Sequence, residues 1–239
     1  MLKHIPNFLT LSNLFCGCIA IVLLFESEFI DIQVNTVAFV IFLGIFFDLL
    51  DGLLARRLNV QSKLGLELDS LADLVTSGVV PAIIIYRVLE KYVDLNISFI
   101  SNDLLPYFAF LITIASAYRL AKFNIQEDSK GYFIGLPVPA NTILILSLLL
   151  ILENSDNEFL LNLIKNEIFL IALILISSYL LNSNLKLISL KFKNYSLSKE
   201  NNIRYFIIIS TAISLIVFGY LAIPILFLIY FVSSIITLR

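Results

Sequence analysis

The sequence predicts an all-α fold: a polytopic transmembrane helical bundle of about eight spans, with both termini on the cytoplasmic side. Three observations predict it. Hydrophobic residues make up 59% of the 239-residue chain and charged residues only 14%, with a mean hydropathy of +0.97. A soluble domain of this size is about half apolar and about a quarter charged. The apolar residues fall in long uncharged runs, and the basic residues between those runs are biased to one side.

The runs cover residues 5–25, 32–47, 74–86, 104–118, 131–152, 168–185 and 205–238. A crossing needs about 20 residues, so the shorter runs extend through flanking charged positions. The first run is kept as a helix rather than a cleaved signal, because Thr10, Ser12 and Asn13 interrupt it and no clear small-residue cleavage site follows. The second then ends with Asp48 and Asp51, and the third begins with Asp69 and Asp73. The last run far exceeds one crossing, and Gly219 and Pro224 near its middle predict two helices joined by a tight turn. The polar stretch 186–204 is too short for a domain and is expected to be an amphipathic surface connection. The chain is read as one membrane domain, 1–239, with a catalytic core in 1–152 and further membrane helices in 153–239.

With the N-terminus inside, thirteen of the sixteen basic residues face the cytoplasm, and only Arg87, Lys91 and Lys165 lie outside. That asymmetry is the positive-inside pattern. The net charge of −2 comes with no basic stripe, so nucleic acid is not an expected partner. His4 is the only histidine, which removes histidine-based metal or triad chemistry. Cys16 and Cys18, two apart on different helix faces, are read as small buried residues rather than a disulfide or metal pair.

Four acids stand against this apolar background. Asp48 and Asp51 are three apart and Asp69 and Asp73 four apart, so each pair shares a helix face. Carboxylates are costly in hydrocarbon, and intramembrane acids mark functional sites. Four together repel strongly unless cations bridge them, and an oxygen-only set favours a hard ion such as Mg²⁺ or Mn²⁺. Gly52 and Ala55 beside these acids leave room for a ligand at the backbone, and Arg56 offers a fork suited to phosphate. The same acids also fit the ion path of a cation-coupled transporter.

The spacing D-x2-D-G-x2-A-R-x8-G-x3-D-x3-D, complete here from Asp48 to Asp73, resembles the signature of the CDP-alcohol phosphatidyltransferases. Three further stretches resemble the serine-accepting branch of that family. They are Asn7-x2-Thr10-x2-Asn13 near the start, Arg119-x2-Lys122-Phe-Asn124, and Gly135-Leu-Pro137-Val138-Pro139-Ala-Asn141. Val138 and Gln126 depart from the pattern, where Thr and Asp are expected.

The resemblance implies a phosphatidyl transfer from CDP-diacylglycerol to L-serine that releases CMP. It implies two Mg²⁺ or Mn²⁺ ions on Asp48, Asp51, Asp69 and Asp73, with Asp73 also the general base. CDP-lipid binding falls to Gly52, Ala55, Arg56, Ser62 and Gly65, and serine binding to Arg119, Lys122 and Asn124. Ser62 also fits a helix cap, and Arg119 and Lys122 also fit topology-setting charges. A homodimer in a bacterial cytoplasmic membrane, with its site at the cytoplasmic face, completes the expectation. Glycerol 3-phosphate and inositol are the alternative acceptors.

Overall fold

Ile5–Glu26 folds into the first helix, α1, and Ile32–Arg57 into the second, α2. The computed structural model describes residues 4–26, 32–92, 104–125, 132–188, 210–211, 213–214 and 217–237. At about 1.5 Å per residue both helices are long enough for a bilayer core of about 30 Å. Lipid offers no hydrophobic drive between helices, so close backbone approach and polar contacts decide how they pack. A Cβ at Gly17 would fall 2.6 Å from Thr76 Oγ1, and one at Gly44 would fall 3.1 Å from Asn13 Oδ1. Glycine at these two positions lets α1 and α2 close on the next span.

That span is a 30-residue rod, Lys63–Tyr92, with two unlike halves. Its first half, α3 (Lys63–Asp73), buries only Ala72 and Asp73. Its second half, α4 (Val80–Tyr92), buries Val80 through Ile85 together with Val88 and Leu89. Between them Leu74–Val79 is π-helical, and the Val80 N–H donates to the Val75 carbonyl five residues back. Pro81 contributes to the irregularity, since it has no N–H to offer the Ser77 carbonyl four residues earlier. In lipid an orphaned carbonyl costs several kcal/mol, and neighbouring Ser or Thr hydroxyls commonly satisfy it.

A 3₁₀ turn at Leu105–Ala109 leads into α5 (Phe110–Ile125). A strand, β1 (Tyr132–Ile134), follows, and Gly135 then turns with φ +70° against the Arg119 guanidinium. Pro137 and Pro139 start α6 (Val138–Asn154). Asn157 caps α7 (Glu158–Ile164) and Asn166 caps α8 (Glu167–Asn182), each accepting from an N–H three residues on. The second cap restarts the helix at an angle, and α7 and α8 meet at 62°. The strand β2 (Lys186–Ile188) pairs antiparallel with β1, placing Phe133 opposite Leu187. Gly219, with φ +54°, opens a short 3₁₀ turn before α9 (Ala222–Thr237).

The core draws on α1, α2, α4, α5, α6 and α8, with Ala20, Ile41, Ile84, Ile112, Ile145 and Ile174 almost fully buried. Large apolar side chains such as Phe8, Phe15, Phe39, Ile114 and Tyr179 point outward instead, as lipid-facing residues do. The fold is therefore all-α and polytopic. Among the described residues four helices are long and apolar enough to cross, or five if α7 and α8 form one bent span. The apolar helices Val138–Asn154 and Gly219–Ser234 are shorter.

The basic residues segregate by end. Arg56 and Arg57 close α2, Lys63 opens α3 and Lys122 lies near the end of α5. At the other end the Lys91 and Lys165 ammoniums lie 5.1 and 4.9 Å from the Tyr92 ring, and Arg87 lies 5.6 Å from Phe25.

Three expectations change. Lys186–Ile188 is a strand rather than part of an amphipathic connection, because β1 offers its edge to it. The rest of that connection, like Gln126, lies outside the described residues. Cys16 is buried, but Cys18 is exposed, since two residues along a helix turn a side chain to another face. The turn in the last run falls at Gly219, while Pro224 sits inside α9 near its start. The segment before Gly219 is only partly described.

Candidate active site

The four acids come from two helices, α2 and α3, that both pack on α1. At the end of α2 the Leu58 N–H still reaches the Leu54 carbonyl at 2.9 Å, and the Val60 N–H reaches Ala55 at 3.0 Å. Asn59 then reverses the chain with φ +53°, a conformation asparagine tolerates better than most residues. Ser62 caps α3, its hydroxyl accepting from the Gly65 N–H at 3.0 Å. α3 therefore turns back to pack on α1, as α2 does, with its acids facing Asp48 and Asp51.

Oxygens of Asp48, Asp51 and Asp69 lie within 4.8 Å of one another. Asp73, one turn beyond Asp69, is buried and accepts from Asn13 Nδ2 at 3.3 Å. It stands outside the group of three, so the four acids divide into three clustered oxygens and one buried carboxylate. α1 braces both parts: Thr10 donates to Asp51, and Thr76 Oγ1 donates to the Asn13 carbonyl at 3.1 Å.

The donor set fits a hard divalent cation. Three carboxylates converge, and among the described residues none of them is seen in an ion pair with a basic side chain. Like charges this close are stable only with a cation or a bound proton between them.

A cleft of about 710 Å³ opens beside these oxygens, within the range of ligand sites. Asp48, Asp51, Asp69, Gly52, Ala55, Arg56, Ser62 and Gly65 all border it. A Cβ at Gly52 would meet nothing closer than Arg56 Nη2 at 3.8 Å, so its open side belongs to the cleft. A Cβ at Gly65 would come 3.2 Å from Ser62 Oγ and 3.3 Å from Asn7 Oδ1, so this glycine serves the cap geometry as well. Arg56 commits its Nε to the Gly52 carbonyl at 2.9 Å, which aims the rest of the fork along the helix end. Lys63 and Asn7 also line the cleft, and sequence reasoning did not assign them to the site. A signal was present for Asn7, since Asn7, Thr10 and Asn13 recur every three residues on one side of α1.

Arg119, Lys122 and Asn124 separate into different tasks. Arg119 Nη1 donates to the Ile134 carbonyl at 2.8 Å and to the Leu181 carbonyl at 2.9 Å. Lys122 borders, with Arg119, Asn182 and Ser183, a small cleft separate from the acidic one. Asn124 reaches the acidic helix, its Nδ2 donating to Ser70 Oγ at 2.9 Å, next to Asp69.

The family model of the CDP-alcohol phosphatidyltransferases matches residues 3–180, from the start of α1 into the last turn of α8. The chain belongs to the CDP-alcohol phosphatidyltransferase family. Relatives named CDP-diacylglycerol–serine O-phosphatidyltransferase include those of Helicobacter pylori, Bacillus subtilis and Methanocaldococcus jannaschii. The Helicobacter pylori protein is 30% identical over 213 residues, 88% of this chain and 80% of its own length. The Bacillus subtilis protein is 35% identical over 142 residues, 58% of this chain and 71% of its own. The Methanocaldococcus jannaschii protein is 35% identical over 173 residues, 72% and 71% respectively. Membership of this family sets the transporter reading of the acids aside.

Proposed function

We propose that this phosphatidyltransferase moves the phosphatidyl group of CDP-diacylglycerol onto the hydroxyl of L-serine, giving phosphatidylserine and CMP. The observation that carries the reaction class is the convergence of Asp48, Asp51 and Asp69 on one point beside a cleft edged by Arg56. The serine acceptor rests on what the relatives' names say they transfer to.

Asp48, Asp51 and Asp69 would hold Mg²⁺ or Mn²⁺, with Asp73, one turn beyond Asp69, completing the set for two ions. Bound there, such ions neutralise charge on the non-bridging oxygens of a diphosphate. The chain's own groups do the rest. Arg56 takes the diphosphate with the Nη groups of its fork, and the open side of Gly52 admits the ligand close to the backbone. Asp73, oriented by Asn13, accepts the proton of the serine hydroxyl. The serine oxygen forms its bond to the β-phosphorus as the bond to CMP breaks, and that electron pair leaves on the CMP phosphate. Lys122 meets the serine carboxylate, and Asn124 ties the end of α5 to the acidic helix.

The cytoplasmic setting of the cleft and a homodimeric state belong to the same reading. The gathering of Arg56, Arg57, Lys63 and Lys122 at the acidic end supports that orientation. Purified protein with CDP-diacylglycerol, Mn²⁺ or Mg²⁺ and a panel of alcohols tests the reading through CMP release. Serine is expected to give the fastest release. Faster release with glycerol 3-phosphate or inositol overturns the acceptor, and none with any alcohol overturns the reaction.

A further inference from the structure

The π turn at Leu74–Val79 lies between the acids of α3 and the apolar wedge of α4, and side chains from two other helices and a backbone carbonyl from a third close on it. Thr142 Oγ1 of α6 donates to the Ser77 carbonyl at 2.8 Å. Thr113 Oγ1 of α5 donates to the Gly78 carbonyl at 3.1 Å. On the α1 side, Thr76 donates to the Asn13 carbonyl while Asn13 donates to Asp73.

These contacts have a backbone cause. A regular helix pairs the carbonyl of residue 77 with the N–H of residue 81, which is proline. Thr142 also lies 3.1 Å from the Val138 carbonyl of its own helix, but Ser77 is the shorter contact. Ser77, Thr76 and Thr142 are all buried, so no water or headgroup replaces the missing donor at the surface.

The π turn also fixes a rotation. Each helical residue advances about 100°, so one residue more or less in this turn rotates α3 against α4 by about that angle. α4 is locked by the buried faces of Pro81, Ile84, Ile85 and Val88. A regular α-turn in place of the π turn therefore swings Asp69 and Asp73 away from Asp48 and Asp51.

We propose that Thr142 and Thr113 are positioning residues: their hydroxyls stabilise the π turn through the Ser77 and Gly78 carbonyls and so hold Asp69 and Asp73 in register with Asp48 and Asp51. The inference rests on the metal role of these acids in the proposed reaction. It assigns no substrate contact to either threonine.

The test uses Thr142→Val and Thr113→Val, which keep the shape and remove the hydroxyl, beside Thr142→Ser and Thr113→Ser, which keep it. Ser147→Ala is the control, because that buried hydroxyl donates to the Leu144 carbonyl of its own helix rather than to a carbonyl of the π turn. Mn²⁺ binding is measured by electron paramagnetic resonance on purified full-length protein without either substrate, and thermal unfolding reports the fold. Each valine variant is expected to bind Mn²⁺ about tenfold more weakly, as when an orienting partner of a metal ligand is lost. The serine variants and Ser147→Ala are expected to stay within about twofold of wild type.

Folded valine variants with wild-type Mn²⁺ affinity overturn the proposal. So does equal weakening by serine and valine, which makes the methyl rather than the hydroxyl responsible. Thr113, only partly buried, carries the test if Thr142→Val is not recovered folded; loss of both valine variants makes the hydroxyls general fold determinants and also overturns it. CMP release by wild type is scored separately. An inactive wild type showing the expected Mn²⁺ pattern defeats the proposed reaction and leaves this inference standing.

Discussion

Arg56 and Arg119 each sit near the end of a helix on the acidic side of the molecule, yet their surroundings give them different work. Arg56 binds one carbonyl of its own helix through Nε and turns the rest of its fork to an open cleft lined by carboxylates. Arg119 places Nη1 between two backbone carbonyls from different elements, one at the end of β1 and one near the end of α8. The same segments are joined again where the Gly135 N–H meets the Leu185 carbonyl and Asn182 Nδ2 meets the Ala115 carbonyl. In the proposed reaction the first arginine receives a ligand. The second holds β1 and α8 to α5. A cation near a membrane surface thus offers a ligand only the donors that the backbone has not claimed.

The acidic cleft predicts the largest effects. Asp69→Asn is expected to lower CMP release to background, and excess EDTA is expected to do the same to wild type, reversibly on adding Mn²⁺. One carboxylate of the convergent three is then missing, and the others cannot hold the ion in place. Full turnover in either case breaks the division between a catalytic and a structural end.

Asp73→Asn comes next. Its amide keeps the shape and the place beside Asn13 but cannot accept a proton from serine. Turnover is expected to fall by about 10²–10⁴-fold while CDP-diacylglycerol binding persists, measured by equilibrium binding. Binding lost together with turnover makes Asp73 a metal ligand only. Arg56→Ala follows, with the KM for CDP-diacylglycerol raised about tenfold and that for serine far less, on the scale of one charge-assisted hydrogen bond.

Much of this division was legible in the sequence and part was not. The acids, Gly52, Ala55 and Arg56 declared themselves by spacing, because helix geometry turns a fixed interval into a shared face. The apolar runs located α1, α2, α5 and α8, since composition alone decides what hydrocarbon accepts. Arg119 was not legible as a clamp. Its partners are carbonyls, and every residue has one, so no side-chain pattern marks Ile134 or Leu181 as acceptors. The pairing of β1 with β2 was hidden for a related reason, as three-residue strands far apart in sequence leave too little alternation to read. Pro81 was visible but its consequence was not: the donor that compensates it, Thr142, lies 61 residues on in another helix.

The smallest effect sharpens the comparison most, because it separates two cations on one helix three residues apart. Arg119→Lys keeps a positive charge but loses the planar fork that reaches two carbonyls at once. It is expected to lower the unfolding temperature by about 2–6 °C, the scale of one or two lost hydrogen bonds in a chain of this size. Its KM for serine is expected to stay within about twofold of wild type, since the charge remains. Lys122→Ala is expected to do the reverse: an unchanged unfolding temperature and a serine KM raised about fivefold, because the proposed reaction assigns Lys122 to the serine carboxylate, and it ties neither β1 nor α8 to α5. If Arg119→Lys instead raises the serine KM and spares the fold, the guanidinium reads the substrate's carboxylate and the clamp is incidental. If neither variant moves the serine KM, the carboxylate is held elsewhere, and Lys63, the remaining cation bordering the acidic cleft beside Arg56, becomes the residue to replace.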